Sequence, residues 1–283
     1  MSAPTLDSLV AGAGELASLP DSWMRVDAVL AHPASTSAQI ADVIASDPGL
    51  SVRLLRMANS PLFGVGQKVE RLSQAVHLIG TRQLRELALA ASVIDMLAGD
   101  GRGERMQAFL RRSTAAALFA RTLASRRREP NIERFFVAGL LHDIGCFITE
   151  LADPALSAAD LKAARVRAEP IELIEQTARG FDHAALGAAL IERWRLPTSL
   201  SEPVAWHHEP SRAPTHRIEA ALVHLASLSV DLLGLGAEGV VCTPLDPRAW
   251  EMSGLNPAEL LSVTAEMDAS LVPMLDILLG TPA

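Results

Sequence analysis

The chain has 283 residues, 49% of them hydrophobic and 20% charged, a composition able to bury a large core in one domain or two. Its net charge of −8 and isoelectric point near 5.5 argue against a nucleic-acid-binding protein, which ordinarily carries a basic footprint. Two cysteines, Cys146 and Cys242, exclude a disulfide framework and a thiolate zinc cage. Residues 1–19 lack the basic-then-apolar order of a signal peptide, and no run approaches the roughly 18 uninterrupted apolar residues of a membrane span. The expectation is a cytoplasmic protein without a membrane partner.

Residues 1–17 are small and weakly patterned, a loose or partly helical lead-in. A helix is predicted from Pro20-Asp21-Ser22 to Ala31, ending before His32-Pro33. Thr36 and Gln39 form a capping box for the next, whose apolar face is Ile40, Val43 and Ile44. Asp47-Pro48 opens a third, with Leu50, Leu54, Met57 and Ala58 as its stripe, and Asn59-Ser60-Pro61 ends it. After the loop Phe63-Gly64-Val65-Gly66, short helices are predicted over Leu72–Leu78 and Arg82–Leu97, with Gly80 turning the chain between them.

Gly99 to Gly103 holds three glycines and marks a subdomain boundary. A long helix follows from Glu104 to Ser125. It ends in Arg126-Arg127-Arg128, read as a solvated helix end whose cations complement the dipole rather than as a phosphate patch. The next helix is capped by Asn131 and runs past His142-Asp143 to Leu151. Helices are then expected over Ser157–Ala168, Pro170–Thr177, from Asp182 to Trp194, from Ser201 to Trp206 and over Arg217–Leu233. Gly234-Leu235-Gly236 breaks the last of these, and two small helices, capped at Asp246-Pro247 and Asn256-Pro257, close the chain. No alternating strand pattern stands out, so the expected fold class is all-α.

The residues with chemical potential collect in the second half: His142, Asp143, His183, His207 and His208. A carboxylate in the apolar run Ala138–Phe147 needs a partner, because an isolated buried charge is very costly. Imidazoles with a carboxylate suit zinc, manganese or iron. Taken singly, each histidine is more simply a hydrogen-bonded core residue, or, for His183 and the His207-His208 pair, a group at a helix end. The adjacent His142-Asp143 pair is harder to explain in that way.

Gly139-Leu140-Leu141-His142-Asp143-Ile144-Gly145 resembles the signature of the HD superfamily of metal-dependent phosphohydrolases. Asp47–Ser60, Ala75–Gly80, His183–Gly187, Trp194–Pro197 and His207–Pro210 narrow the resemblance to the HDOD family, the HD-related output domain of bacterial signalling. The similarity covers residues 18–213. It implies an N-terminal helical lobe over 18–99 and an HD-like lobe over 104–213, leaving 1–17 as lead-in and 214–283 as a C-terminal helical extension. Within it, Arg53, Arg56 and Arg85 are read as surface residues, with a partner or anionic ligand docking near them as the functional alternative.

Catalytic relatives, including the HD-GYP cyclic-di-GMP phosphodiesterases, hold metal through a preceding histidine, the His-Asp pair and a later aspartate. Here Arg112 stands in the first histidine's place and Ser227 where the later aspartate is expected, Cys146 replaces a lysine, and the chain has no tyrosine for a Gly-Tyr-Pro motif. The resemblance therefore implies a regulatory module that acts on signalling proteins and is not an enzyme. Its degenerate metal site would comprise His142, Asp143, His183, His207 and His208, with no catalytic residue and no cofactor. Two readings of that site stay open. Arg112 pairs with Asp143 as an electrostatic substitute for metal, or one divalent ion survives on Asp143, His183 and His207 or His208. A phosphodiesterase acting on a cyclic dinucleotide, and an adaptor that binds a nucleotide without hydrolysing it, are the alternatives. A homo-oligomer is compatible with all of these.

Overall fold

The computed structural model describes residues 4–60, 68–98, 104–235 and 240–279, so Leu62, the loop Phe63–Gly66, the break at Gly99–Gly103 and Gly236 lie outside the described residues. The described elements are helices, and the sole β feature among them is an isolated parallel bridge between Pro170 and Val241. The all-α expectation holds.

The chain divides into two compact units. One runs from Leu19 to Arg111 and adds the residues from Ala269 onward; the other holds the residues up to Ser18 with Arg112–Asp268. Residues 214–268 fall in the second of these units and those from Ala269 onward in the first.

In the first unit, α2 (Asp21–Ala31), α3 (Ser37–Ala45), α4 (Pro48–Asn59), α5 (Leu72–Ile79) and α6 (Thr81–Ala98) form a helical cluster. Their ends follow the sequence closely. The Thr36 hydroxyl accepts from the Gln39 amide while the Gln39 side chain accepts from the Thr36 amide, and the Asp47 carboxylate accepts from the Leu50 amide. Gly80, at φ 84°, makes the α5–α6 turn. Asn59 does more than stop α4: its side chain bonds both backbone groups of Val69 and so ties the helix end to the next segment. Arg53 pairs with Asp95 and Arg85 with Asp27, which commits two of the three arginines considered for ligand docking.

The second unit contains α1 (Leu6–Gly12), most of α7 (Glu104–Arg126), α8 (Ile132–Leu141), α9 (Ile144–Ala152), α10 (Pro154–Arg167), α11 (Ile171–Arg179), α12 (His183–Arg193), α13 (Thr198–Trp206), α14 (Arg217–Leu232), α15 (Arg248–Ser253) and the first part of α16 (Pro257–Leu279). In the described part of the lead-in, a capping box between Thr5 and Ser8 starts α1, which packs on α9 and α12, and the Trp194 indole donates to the Leu16 carbonyl. At the end of α7, Arg126 pairs with Glu266 and Arg127 with Glu129, Arg127 also reaching the Ser253 carbonyl.

Two expectations fail. The last helix is 23 residues long rather than small. The expected continuous helix through His142-Asp143 is broken there into α8 and α9, Asp143 adopting φ −101° and ψ 15°. The stretch Ile132–Ala152 is apolar and long enough to be weighed as a membrane span, but 78% of its apolar window is buried within the fold.

Close backbone packing flanks the break. Two glycines in this region replace side chains with backbone approach: a Cβ on Gly145 would collide with the His183 carbonyl, and one on Gly139 would lie 2.8 Å from the Ala116 carbonyl oxygen. Gly145→Ala should therefore destabilise the protein by about 3 kcal/mol, at the upper end of the overpacking range. Urea unfolding of the variant against wild type measures it.

Candidate functional site

The α8–α9 break puts Asp143 in the sparsely populated bridge region of backbone space, where many active-site residues sit. Its side chain is thereby turned out of the helix. Gly145 lets the start of α12 lie directly against α9, and the Asp182 carboxylate caps α12 by accepting from the Ala185 amide. His183, the first residue of α12, is thus delivered to Asp143. The end of α13 supplies His207 and His208.

Asp143 is buried, and its two oxygens face different partners. Oδ2 lies 3.1 Å from Arg112 Nε and 3.1 Å from His142 Nε2. Oδ1 lies 3.3 Å from His183 Nε2 and 3.4 Å from His207 Nε2. The Arg112 guanidinium extends further, donating to Asp231 at 2.6 Å and to the Ser227 hydroxyl at 3.0 Å. Burial opposes the charge on Arg112, but Asp143 and Asp231 outweigh it and raise its pKa. Burial likewise pushes the Asp143 carboxyl up, and the imidazoles of His142, His183 and His207 more than reverse this, holding it well below the usual carboxylate range.

The histidine tautomers follow from their outer partners. A carbonyl only accepts, so His142 Nδ1 donates to Gly139 and His207 Nδ1 to Val204, at 2.7 and 2.8 Å. The Nε2 of each therefore faces Asp143, as an N–H donor to the carboxylate in the imidazolium form and as an unpartnered inward lone pair in the neutral form. His183 Nδ1 meets Glu175 at 2.7 Å, and its Nε2 lies 2.9 Å from His208 Nε2. Burial disfavours charge on His183, yet Cys146, Glu175 and Asp143 together hold its pKa well above the imidazole range. Burial and the neighbouring imidazoles of His207 and His183 push His208 well below it. Cys146, also beside His183, is raised to about 11 by burial and is a poor nucleophile.

Several residues of this site escaped the reading of the sequence. Glu175 is braced by Arg179 at 3.1 Å, and Arg179 in turn by Asp160 at 2.7 Å. Thr243 bridges Glu172 and His208, at 2.9 Å from each. Asp231 receives Arg112 one turn beyond Ser227. A partial signal existed in the i, i+4 spacing of Ser227 and Asp231 on a predicted helix, whereas Arg179 fell beyond the helix predicted over Pro170–Thr177. Nothing in the sequence placed Thr243.

The donor set fits a single divalent cation on the Oδ1 side. Asp143 Oδ1 faces His183 Nε2 and His207 Nε2, and ring nitrogens of His183, His207 and His208 lie within 4.8 Å of one another. A tetrahedral ion with bonds of about 2.0–2.1 Å would set its donors about 3.3–3.4 Å apart, which matches the spacing of Oδ1 from His183 and His207. The Glu175 contact on His183 is the outer-shell arrangement that orients a metal-binding imidazole. Formal charge points the same way. Five carboxylates (Asp143, Asp160, Glu172, Glu175, Asp231) surround the cluster against two guanidiniums (Arg112, Arg179). On the Oδ2 side Arg112 already supplies the cation.

The sequence profile of the HDOD domain matches residues 16–210. The chain belongs to the HDOD family. An HDOD domain protein of unknown function from Geobacter sulfurreducens is similar to it at TM-score 0.74 and 24% identity, over 96% of this chain and 98% of that one. A Shewanella amazonensis SB2B protein provisionally named a phosphohydrolase matches with the same TM-score, identity and coverage. A Marinobacter aquaeolei VT8 protein provisionally named for signal transduction gives TM-score 0.70 at 20% identity, over 92% of this chain and 59% of its own. An uncharacterized protein of Treponema pallidum (strain Nichols) is 26% identical over 204 residues, 71% of this chain, which spans 39% of that relative's length. The HDOD fold thus accounts for nearly the whole chain, while the strap around Thr243 falls outside the profile match.

Removing the Arg112 fork should be costly. Arg112→Ala leaves Asp143 and Asp231 without their cation and should destabilise the fold by about 3–5 kcal/mol; Arg112→Lys should restore only part, since an ammonium cannot fork to three acceptors. Urea unfolding of both variants measures this. The depressed Asp143 pKa also has a sign: its contribution is complete above the unfolded carboxyl pKa of about 3.9 and is lost as pH falls from there toward the folded value. Acid titration of unfolding free energy should show a loss in that window that Asp143→Asn lacks.

Proposed function

We propose that this chain is a non-hydrolytic signalling module of the HDOD family, acting in the cytoplasm through a protein partner, with the old metal centre kept as a structural and regulatory core. One observation carries the reading: the Arg112 guanidinium pairs with Asp143 and Asp231 and bonds Ser227, occupying the side of Asp143 that a second cation would need. Two-metal phosphoester cleavage depends on a pair of ions about 3.5–4 Å apart clamping the attacking and leaving oxygens. A fixed guanidinium supplies charge there but no open coordination position and no activated water.

The convergence of Asp143 Oδ1 with His183, His207 and His208 favours a second, compatible reading, in which one divalent ion binds on the other side. Such an ion would polarise an oxygen ligand and neutralise the negative cluster. Asp143 and the three histidines would hold it, and Glu175 would orient His183.

Two measurements test these readings. Purified chain given Mn2+ should cleave cyclic-di-GMP or a generic phosphodiester no faster than a His142→Ala/Asp143→Ala variant; metal-dependent turnover that the variant lacks refutes the non-hydrolytic reading. Elemental analysis of protein purified without chelator or nickel should give about one divalent ion per chain, lost in His183→Ala. Equal, negligible metal in both removes the second reading and leaves the first.

A further inference from the structure

The segment Val241–Asp246 lies outside the matched family region and touches the cluster at several points. Val241 bridges to Pro170, at the start of α11. Cys242 is close enough to Asp231, which holds Arg112, for that carboxylate to help burial raise its thiol pKa. The Thr243 hydroxyl lies between Glu172 Oε1 and His208 Nδ1, at 2.9 Å from each. The Asp246 amide donates to His224 Nε2 at 3.0 Å, while His224 Nδ1 meets the His207 carbonyl at 2.8 Å. A short strap thus contacts both histidine-bearing and arginine-bearing sides of the site.

We propose that Thr243 is a positioning residue of the histidine cluster, fixing His208 with Nδ1 protonated and Nε2 turned toward His183. This deepens the reading of the cluster as the functional site and rests on it. A hydroxyl carries one hydrogen. Thr243 donates it to the Glu172 carboxylate, so the contact with His208 is made by Thr243 accepting from the His208 Nδ1–H. His208 Nε2 is then the unprotonated nitrogen. The 2.9 Å contact between the two Nε2 atoms is a hydrogen bond donated by His183, whose Nδ1–H is directed at Glu175. Once the His183 Nε2 proton is given up, two lone pairs face the same point as His207 Nε2 and Asp143 Oδ1. The order Glu172–Thr243–His208–His183–Glu175 therefore sets the donor face of the site from a residue on the strap. Without the hydroxyl, His208 Nδ1 loses its hydrogen-bond acceptor, and only the His183 Nε2–H still favours the same tautomer.

The test uses the full chain labelled with 15N-histidine, at about pH 7.5 with divalent ions chelated. Long-range 1H–15N correlation spectra report the tautomer of each imidazole, and the His208 signal is assigned by its loss in His208→Gln. Wild type and Thr243→Ser should show His208 protonated at Nδ1; Thr243→Val should show it moved to the Nε2-protonated form or to a mixture. Thr243→Ala, which removes the hydroxyl with no added bulk, serves if the valine variant fails to fold. An Nδ1-protonated His208 in the variants lacking the hydroxyl, or an Nε2-protonated His208 in wild type, overturns the proposal. Because no metal enters the measurement, a wild type that binds no ion would sink the metal reading and leave this result decisive. Where the wild type does bind Co2+, Thr243→Val should weaken it about tenfold or more, the usual effect of losing an outer-shell partner.

Discussion

A desolvated carboxylate at the break between α8 and α9 governs the second unit. Asp143 is removed from water, and its charge survives because Arg112 and His142 meet one oxygen and His183 and His207 the other. An unpaired buried carboxylate would neutralise or unfold its surroundings. The neighbouring elements are accordingly arranged as donors: α7 brings Arg112, α12 brings His183, and the end of α13 brings His207 and His208. The absence of a side chain at Gly145 lets α12 approach closely enough for the pairing to form.

The two oxygens of Asp143 divide the site into unlike halves. On the Arg112 side the charges are matched and the geometry is closed, with the guanidinium held by Asp143, Asp231 and Ser227 together. On the histidine side, polar atoms converge with lone pairs inward, braced from outside by Glu175 and by Thr243. The first half favours permanence. The second keeps the donor chemistry that could hold one cation, or a shared proton in its place. That division is the physical basis of the proposal that this HDOD protein is regulatory.

Beyond the cluster a second layer ties distant segments to it. Asp160 on α10 holds Arg179, which braces Glu175 under His183. The strap after α14 reaches Glu172, His208 and His224. Any partner or ligand that moved α11 or the strap would alter the proton positions at the centre, because those hydrogen bonds set them. In the other unit, the pairing of Arg53 with Asp95 and Arg85 with Asp27 gives these arginines structural roles.

Local chemistry was legible without a fold. The capping boxes at Thr36 and Asn256, the Asp47-Pro48 start and the Gly80 turn depend on residues within a few positions, and they form as read. The HD-like motif and its Arg112 and Ser227 exchanges also stood in the chain itself. Other features depended on contacts that no local pattern encodes. The continuous helix through His142-Asp143 had good apolar periodicity, yet the close approach of α12 at Gly145 accompanies a break there. Thr243 lies 35 residues from His208 and 71 from Glu172, so only the folded chain brings its hydroxyl to both. Sequence determined the helices, their ends and the kind of donors present; tertiary packing decided which donors meet, because a hydrogen bond requires about 3 Å of separation and spacing along the chain does not specify it.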